Sequence, residues 1–360
     1  MENKTNKTKK LIRNFIFFIL LIILTFYIVF KDKNILDILD ILNNVKKQYV
    51  VVAALCMCAY ILCDSINIGK NLRDLKEKSS FWKNIKYSLI GFFFSGITPA
   101  ATGGQPMQIY YMHKDGIKVA NATLALLINL TCIQVITISL ALFSISFNHQ
   151  YLSTPLLWLF AIGIMLNLGS LSLLLISITS RRVTKWIIDK AVKVLKFFKV
   201  KNVEEKQAKL EKELKTYQIG ARYMNTNKWI VIRTLIFTFV EFIAFYSISY
   251  FIYLAFGLNQ YNIFELTTMQ AVLYGTVSGI PSPGAVGVSE GGYMAIYGKI
   301  YSESILSSAM LLTRGINFYL FMIISSIVVI VNDLMDKKSA KKEYEKMKIL
   351  PKVVGEDDYK

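Results

Sequence analysis

Six stretches of the chain are apolar over lengths of about 20–30 residues: 11–30, 49–69, 118–147, 155–179, 229–257 and 303–332. Each is long enough to cross a ~30 Å hydrocarbon core as a tilted helix. Two more apolar stretches, 85–112 and 264–298, are interrupted by "SGITPAATGGQP" (95–106) and "SGIPSPGAVGVSEGG" (278–292). Gly and Pro at that density stop a helix from running through. Between the first two runs, "ILDILDILNNV" (35–45) has the spacing of a short amphipathic surface helix, with a plain polar loop as the alternative. The pattern predicts an all-α polytopic membrane protein. It has eight hydrophobic segments, of which six are full spans and two are broken.

Charge sets the expected topology. Of the 42 Lys and Arg residues, 33 fall before residue 14 or in 70–86, 180–228 and 333–360. The positive-inside rule puts all four segments, and so both termini, in the cytoplasm. The first run follows a basic start and lacks a small-x-small cleavage site before Lys31, so it reads as a retained helix. Segment 180–228 contains "KAVKVLKFFKVKNVEEKQAKLEKEL" and suits amphipathic helices lying on an anionic inner leaflet.

Parity then constrains the broken stretches. Two full spans and segment 85–112 separate cytoplasmic 70–86 from cytoplasmic 180–228, so 85–112 must cross an even number of times. The same holds for 264–298. At about 30 residues, neither accommodates two ~20-residue spans. Each therefore reads as a re-entrant pair of half-helices, and three full spans between them make the two enter from opposite faces. Their sequences correspond: Ser95-Gly96-Ile97 with Ser278-Gly279-Ile280, then Pro99 with Pro281 and Pro283, then Gly103-Gly104 with Gly291-Gly292. Matching interruptions in two halves of a membrane protein point to an inverted repeat with a binding site between the breaks.

Composition narrows the chemistry. The chain is 54% hydrophobic with a net charge of +18, but its cations cluster between apolar runs, as loops at an anionic leaflet do, and nucleic acid is not the expected partner. Cys56, Cys58, Cys63 and Cys132 lie in apolar runs and read as small hydrophobes; His113 and His149 are far apart, and no metal site is expected. No nucleotide loop, H-E-x-x-H or G-x-S-x-G is present, and no cofactor is expected.

Away from the loops the charged residues are Asp64, Arg233, Glu241, Glu265, Glu290 and Arg314. Arg233 and Glu265 lie near segment ends and are expected to snorkel. The other four lie deeper, where a charge costs at least ~2.5 kcal/mol and needs a partner. Pairing Glu290 with Arg314 satisfies both. Such a pair either locks a hairpin to the last helix or lets Arg314 meet an anionic head group while Glu290 steadies it. Asp64 and Glu241 are candidates for a proton or polar relay. Half-helix termini add N–H groups able to bind phosphate. Thr98, Thr102, Gln105 and Ser282 add neutral donors, and Gly103, Gly104 and Gly284 allow close backbone approach.

"TPAATGGQPMQIYYMHKDGI" (98–117), "GIPSPGAVGVSEGGY" (279–293) and the intramembrane Arg314 resemble the lysylphosphatidylglycerol synthase transmembrane family, also called the flippase-like domain. The resemblance spans roughly residues 10–335 and implies one bacterial cytoplasmic-membrane domain, followed by a charged tail over 336–360. It implies translocation of an anionic or aminoacylated phospholipid, such as lysyl-phosphatidylglycerol, in a setting of antimicrobial-peptide resistance. The family's broken-helix motifs map onto Pro99, Gly103, Gly104, Gln105 and Pro106, then Pro281, Pro283, Gly284, Gly287 and Glu290, and Arg314. Only 29 residues follow Val331, too few for the soluble aminoacyl-transferase domain of the multiple peptide resistance factors. A phosphatidylglycerol lysyltransferase acting with a separate synthase, or a non-transporting partner of such a synthase, is the alternative expectation. Homo-oligomers are compatible with either.

Overall fold

The computed structural model describes residues 40–179, 219, 221–223 and 226–349. The expected first span (11–30), residues 35–39 of the segment 35–45, the bulk of 180–228 and the end of the tail lie outside the described residues. Among the described residues the fold is helical throughout, without strands. In chain order the main helices are α1 (Lys47–Asp74), α2 (Phe81–Gly96), α3 (Gly104–Lys114), α4 (Val119–Asn148), α5 (Thr154–Thr179), α6 (Lys228–Ala255), α7 (Ile263–Val277), α8 (Val288–Tyr297), α9 (Glu303–Arg314) and α10 (Leu320–Ile349). A π-turn over Gly315–Tyr319 joins α9 to α10.

Five helical stretches are long and apolar enough to cross a membrane: Lys47–Asp74, Val119–Tyr151, Thr154–Ile176, Lys228–Ala255 and Glu303–Met335. These are the five unbroken apolar runs that fall within the described residues. The outer surface carries large apolar side chains such as Leu55, Phe143, Trp158, Met165 and Ile327, while Asn67, Asn129, Asn167, Thr234, Glu241 and Glu290 are buried. In water that arrangement would expose too much hydrocarbon. In a bilayer it satisfies both the lipid outside and the polar groups within.

Helices α1 and α6 run antiparallel, joined by rungs of polar glue. Thr234 donates to the Asn71 amide oxygen at 3.0 Å and the Asn67 amide donates to Thr238 at 3.1 Å. Further along, the Tyr60 and Phe245 rings pack at a tilt with centroids 5.0 Å apart. Interhelical bonds of this kind replace the hydrophobic drive that lipid removes. Arg233 is tied into the same interface instead of snorkelling, at 2.8 Å from Asp74 and 2.9 Å from the Asn71 oxygen. Glu265 closes the N-terminus of α7 in a capping box with Asn262.

Both interrupted stretches fold as helix–break–helix hairpins. In the first, Gln108 on α3 donates to the Tyr87 carbonyl of α2 at 3.1 Å. In the second, the Tyr297 hydroxyl of α8 donates to Gln270 of α7 at 3.0 Å. At the base of the first hairpin, Asp115 accepts from both Lys86 and Tyr87 at 2.6 Å. The two broken tips, Pro99–Ala101 and Pro283–Ala285, touch each other inside the bundle.

Candidate functional site

Each tip is built from the same backbone. Thr98 and Ser282 are extended (φ −120°, ψ 141° and φ −115°, ψ 139°), each followed by Pro. Two residues after each Pro comes an alanine in the left-handed region, Ala101 at φ 54° and Ala285 at φ 53°. A left-handed alanine costs roughly 1–2 kcal/mol, so its occurrence at both tips marks a shape the surroundings enforce. The repeated unit is Thr98-Pro-Ala-Ala-Thr-Gly103 against Ser282-Pro-Gly-Ala-Val-Gly287. It extends the Ser-Gly-Ile correspondence, and it was legible in the sequence once the second break is allowed one extra residue, Pro281.

The breaks leave backbone groups to satisfy, and local side chains do so. The Thr98 hydroxyl donates to the Phe94 carbonyl at 2.6 Å and accepts from the Gly103 N–H at 2.9 Å. Ser282 donates to the Val286 carbonyl at 2.9 Å. The end of α7 is held by Asn167 of α5, whose buried amide reaches the Gly275 carbonyl at 3.3 Å and the Ser278 hydroxyl at 3.1 Å. Asn167 was not singled out from the sequence; the available signal was a polar side chain inside an apolar span.

Glu290 and Arg314 form the expected pair, Nε to Oε1 at 2.7 Å. Glu290 is 1% exposed and Arg314 8%. The carboxylate also accepts from the Tyr319 hydroxyl at 3.0 Å and, through Oε2, from the Gly287 N–H at 2.7 Å. Gly287 has φ 85°, which a glycine reaches without strain. The guanidinium donates from Nη2 to the Gly284 carbonyl at 3.1 Å and lies 4.4 Å from the Phe318 ring centroid. The π-turn immediately after Arg314 brings Phe318 and Tyr319 to this point. The guanidinium carbon also lies 5.7 Å from the Tyr319 ring centroid.

A cavity of about 230 Å³ lies between the tips. The first tip lines it with Ser95, Gly96 and Ala101, and the second with Ser282, Gly284, Ala285 and Ser289. Thr313, Arg314, Asn317 and Phe318 close one side. The Asn317 amide oxygen there is buried without a partner among the described residues. Of the residues singled out from the sequence, Ser282, Gly284 and Arg314 line the cavity. Thr98, Pro99, Gly103, Gly104, Gln105, Pro106, Pro281, Pro283 and Gly287 form the frame, and Glu290 stands behind Arg314. Ser95, Ala101, Ser278, Ser289 and Asn317 are lining residues that sequence reasoning missed.

Asp64 and Glu241 lie outside the lining. Asp64 accepts from the Asn129 amide at 2.7 Å. Glu241 is fully buried, and neither of its oxygens has a hydrogen-bond partner among the described residues. Tyr60 and Tyr274 stand between them and the cavity: both line it, and both are in electrostatic range of Glu241.

Residues 14–325 match the family described as the lysylphosphatidylglycerol synthase TM region. No curated protein matches the chain.

Proposed function

The chain belongs to the lysylphosphatidylglycerol synthase TM region family, and from that premise we propose that it is a phospholipid translocase whose head-group site is the cavity between the two tips. The family sets a lipid-related role in a membrane. Helices α2 and α3 have 16 and 11 residues, and α7 and α8 have 15 and 10. At 1.5 Å per residue they run from about 15 to 24 Å, short of a ~30 Å core. On this reading both hairpins are re-entrant, enter from opposite faces of a bacterial cytoplasmic membrane and meet tip to tip, with both termini in the cytoplasm.

The observation that carries the reading is Arg314. It is almost wholly buried, steadied by Glu290 and Gly284, and lines a cavity that both breaks share. A phosphodiester in that cavity takes a charge-assisted bond from the guanidinium. N–H groups at the start of α8, beside Ser289, add donors and the positive end of a helix dipole. Asn317 and the serine hydroxyls serve the glycerol or amino end of an anionic or aminoacylated head group, of which lysyl-phosphatidylglycerol is the type. About 230 Å³ is room for roughly eight waters, enough for a head group and far too small for acyl chains. The tails stay in the bilayer against the apolar outer surface. Segment 180–228 holds inner-leaflet anionic lipid in this picture, and a separate synthase supplies the aminoacylated lipid.

The test is reconstitution. Purified protein in liposomes is expected to move head-group-labelled phosphatidylglycerol or lysyl-phosphatidylglycerol between leaflets, and Arg314→Ala to abolish it while still inserting. Unaided failure of the wild type would favour a non-transporting synthase partner. The same preparation, given lysyl-tRNA and phosphatidylglycerol, is expected to form no lysyl-lipid; product there would assign aminoacyl transfer instead.

A further inference from the structure

Glu241 sits inside α6 with none of its side chain exposed and neither oxygen hydrogen-bonded among the described residues. An ionised carboxylate in that condition is among the costliest arrangements an interior can hold. Asp64 stands near it, one turn beyond the Asn67–Thr238 rung, and the two carboxyls are in electrostatic range of each other. The titratable groups facing Glu241 are Tyr60, Cys63 and Asp64 from α1 and Tyr274 from α7. Tyr246, on its own helix, packs against the Tyr274 ring 5.7 Å away. From α4 come Asn129 and Thr137, which do not titrate, and the turn after α9 adds Ile316. No cation among the described residues pairs with either carboxyl.

We propose that Glu241 and Asp64 form a proton-binding site: Glu241 carries a proton while the α1–α6 interface is closed, and gives it to water when the cavity opens past Tyr60 and Tyr274. Three observations converge on a proton. The oxygens of Glu241 lack donors that would stabilise a negative charge, and the nearest charged group is a second carboxyl, which disfavours it further. A hard metal cation needs about six oxygen ligands, whereas a proton needs none beyond the carboxyl itself. Asp64, unlike Glu241, accepts a 2.7 Å bond from the Asn129 amide, so of the two it is the better placed to hold a negative charge. Tyr60 and Tyr274 border both the pair and the cavity, so a head group entering the cavity and a proton leaving Glu241 act on the same two side chains. Lipid movement is thereby tied to a proton gradient. That coupling rests on the translocase reading; the proton on Glu241 does not.

Infrared difference spectroscopy of the reconstituted protein tests the proton directly. At neutral pH the wild-type minus Glu241→Gln spectrum should contain a protonated-carboxyl C=O band that shifts on deuteration; its absence would overturn the proposal. Asp64→Asn serves as a second variant if Glu241→Gln does not fold. It should keep the band and shift its loss to lower pH, because a neighbouring negative charge is gone, whereas a purely structural Asp64 leaves the loss unmoved. In proteoliposomes a pH gradient should accelerate lipid movement by wild type, and Glu241→Gln should lose that response. A rate indifferent to the pH gradient, or one that follows a sodium gradient instead, would overturn the coupling. If wild type moves no lipid at all the translocase reading fails, and the infrared band alone decides whether the proton is there.

Discussion

Whether the Glu290–Arg314 pair is a lock or a binding element is separable by removing one member and then both. Arg314→Met leaves a carboxylate 1% exposed that still holds the Gly287 N–H at 2.7 Å and the Tyr319 hydroxyl at 3.0 Å. Breaking a buried pair costs ~3–5 kcal/mol, and these two donors put this variant near the lower figure. Glu290→Leu leaves a buried guanidinium with no carboxylate, facing the Gly284 carbonyl at 3.1 Å and the rings of Phe318 and Tyr319, and belongs near the upper one. In the double variant no charge is stranded, so stability should return to within roughly 2 kcal/mol of wild type, far from the additive ~8. Thermal unfolding followed with a thiol-reactive dye, in a background without Cys56, Cys58 and Cys63, reads this out, because Cys132 is 2% exposed in the folded protein. The binding role predicts a double variant that is stable and moves no lipid. A stable double variant with wild-type translocation would reduce the pair to a lock, and an additive loss of stability would refute the electrostatic reasoning.

Three further outcomes follow from packing and charge. A Cβ at Gly163 would lie 2.8 Å from the Gly275 carbonyl of α7, which cannot move aside, so Gly163→Ala should cost about 1–3 kcal/mol in the dye assay while Gly169→Ala, with open space around it, costs nothing. Ala285 is left-handed, so Ala285→Gly should be neutral to slightly stabilising and Ala285→Val should lose about 1–2 kcal/mol; equal effects would contradict the shared tip geometry. Burial pushes the Asp115 carboxyl up, but the hydrogen bonds from Lys86 and Tyr87 and the charges of Lys86 and Lys83 outweigh it and hold it below the usual range. Its stabilisation is therefore present above the unfolded value of about 3.9 and is lost as pH falls through the lower folded value; melting by circular dichroism should show that acid loss in wild type and not in Asp115→Asn.

The unbroken spans were legible because apolar length alone specifies them: 118–147 became Val119–Asn148 and 229–257 became Lys228–Ala255. The breaks were legible because Gly and Pro cannot hide inside a helix, and the Glu290–Arg314 pair because two intramembrane charges must meet. The last helix hid its π-turn, since the apolar pattern continues through Gly315–Tyr319 without a Pro. The cavity lining was the least readable part. Pro99, Gly103 and Pro283 mark where the backbone turns, but which atoms face the void depends on how two tips distant in the chain abut, and small residues such as Ser95, Ala101 and Ser289 fill that seam. Arg233 misled through its place near a span end; its partners Asp74 and Asn71 sit on a helix that sequence alone does not put beside it.

The central claim is that a head group crosses between the two tips past Arg314. A cysteine at Ser289, which lines the cavity, in a background cleared of Cys56, Cys58, Cys63 and Cys132, tests this in the reconstituted protein. Its labelling by a small charged thiol reagent should be slowed by short-chain phosphatidylglycerol or lysyl-phosphatidylglycerol, and the protection should vanish with Arg314→Met. Labelling that neither lipid slows would contradict the account.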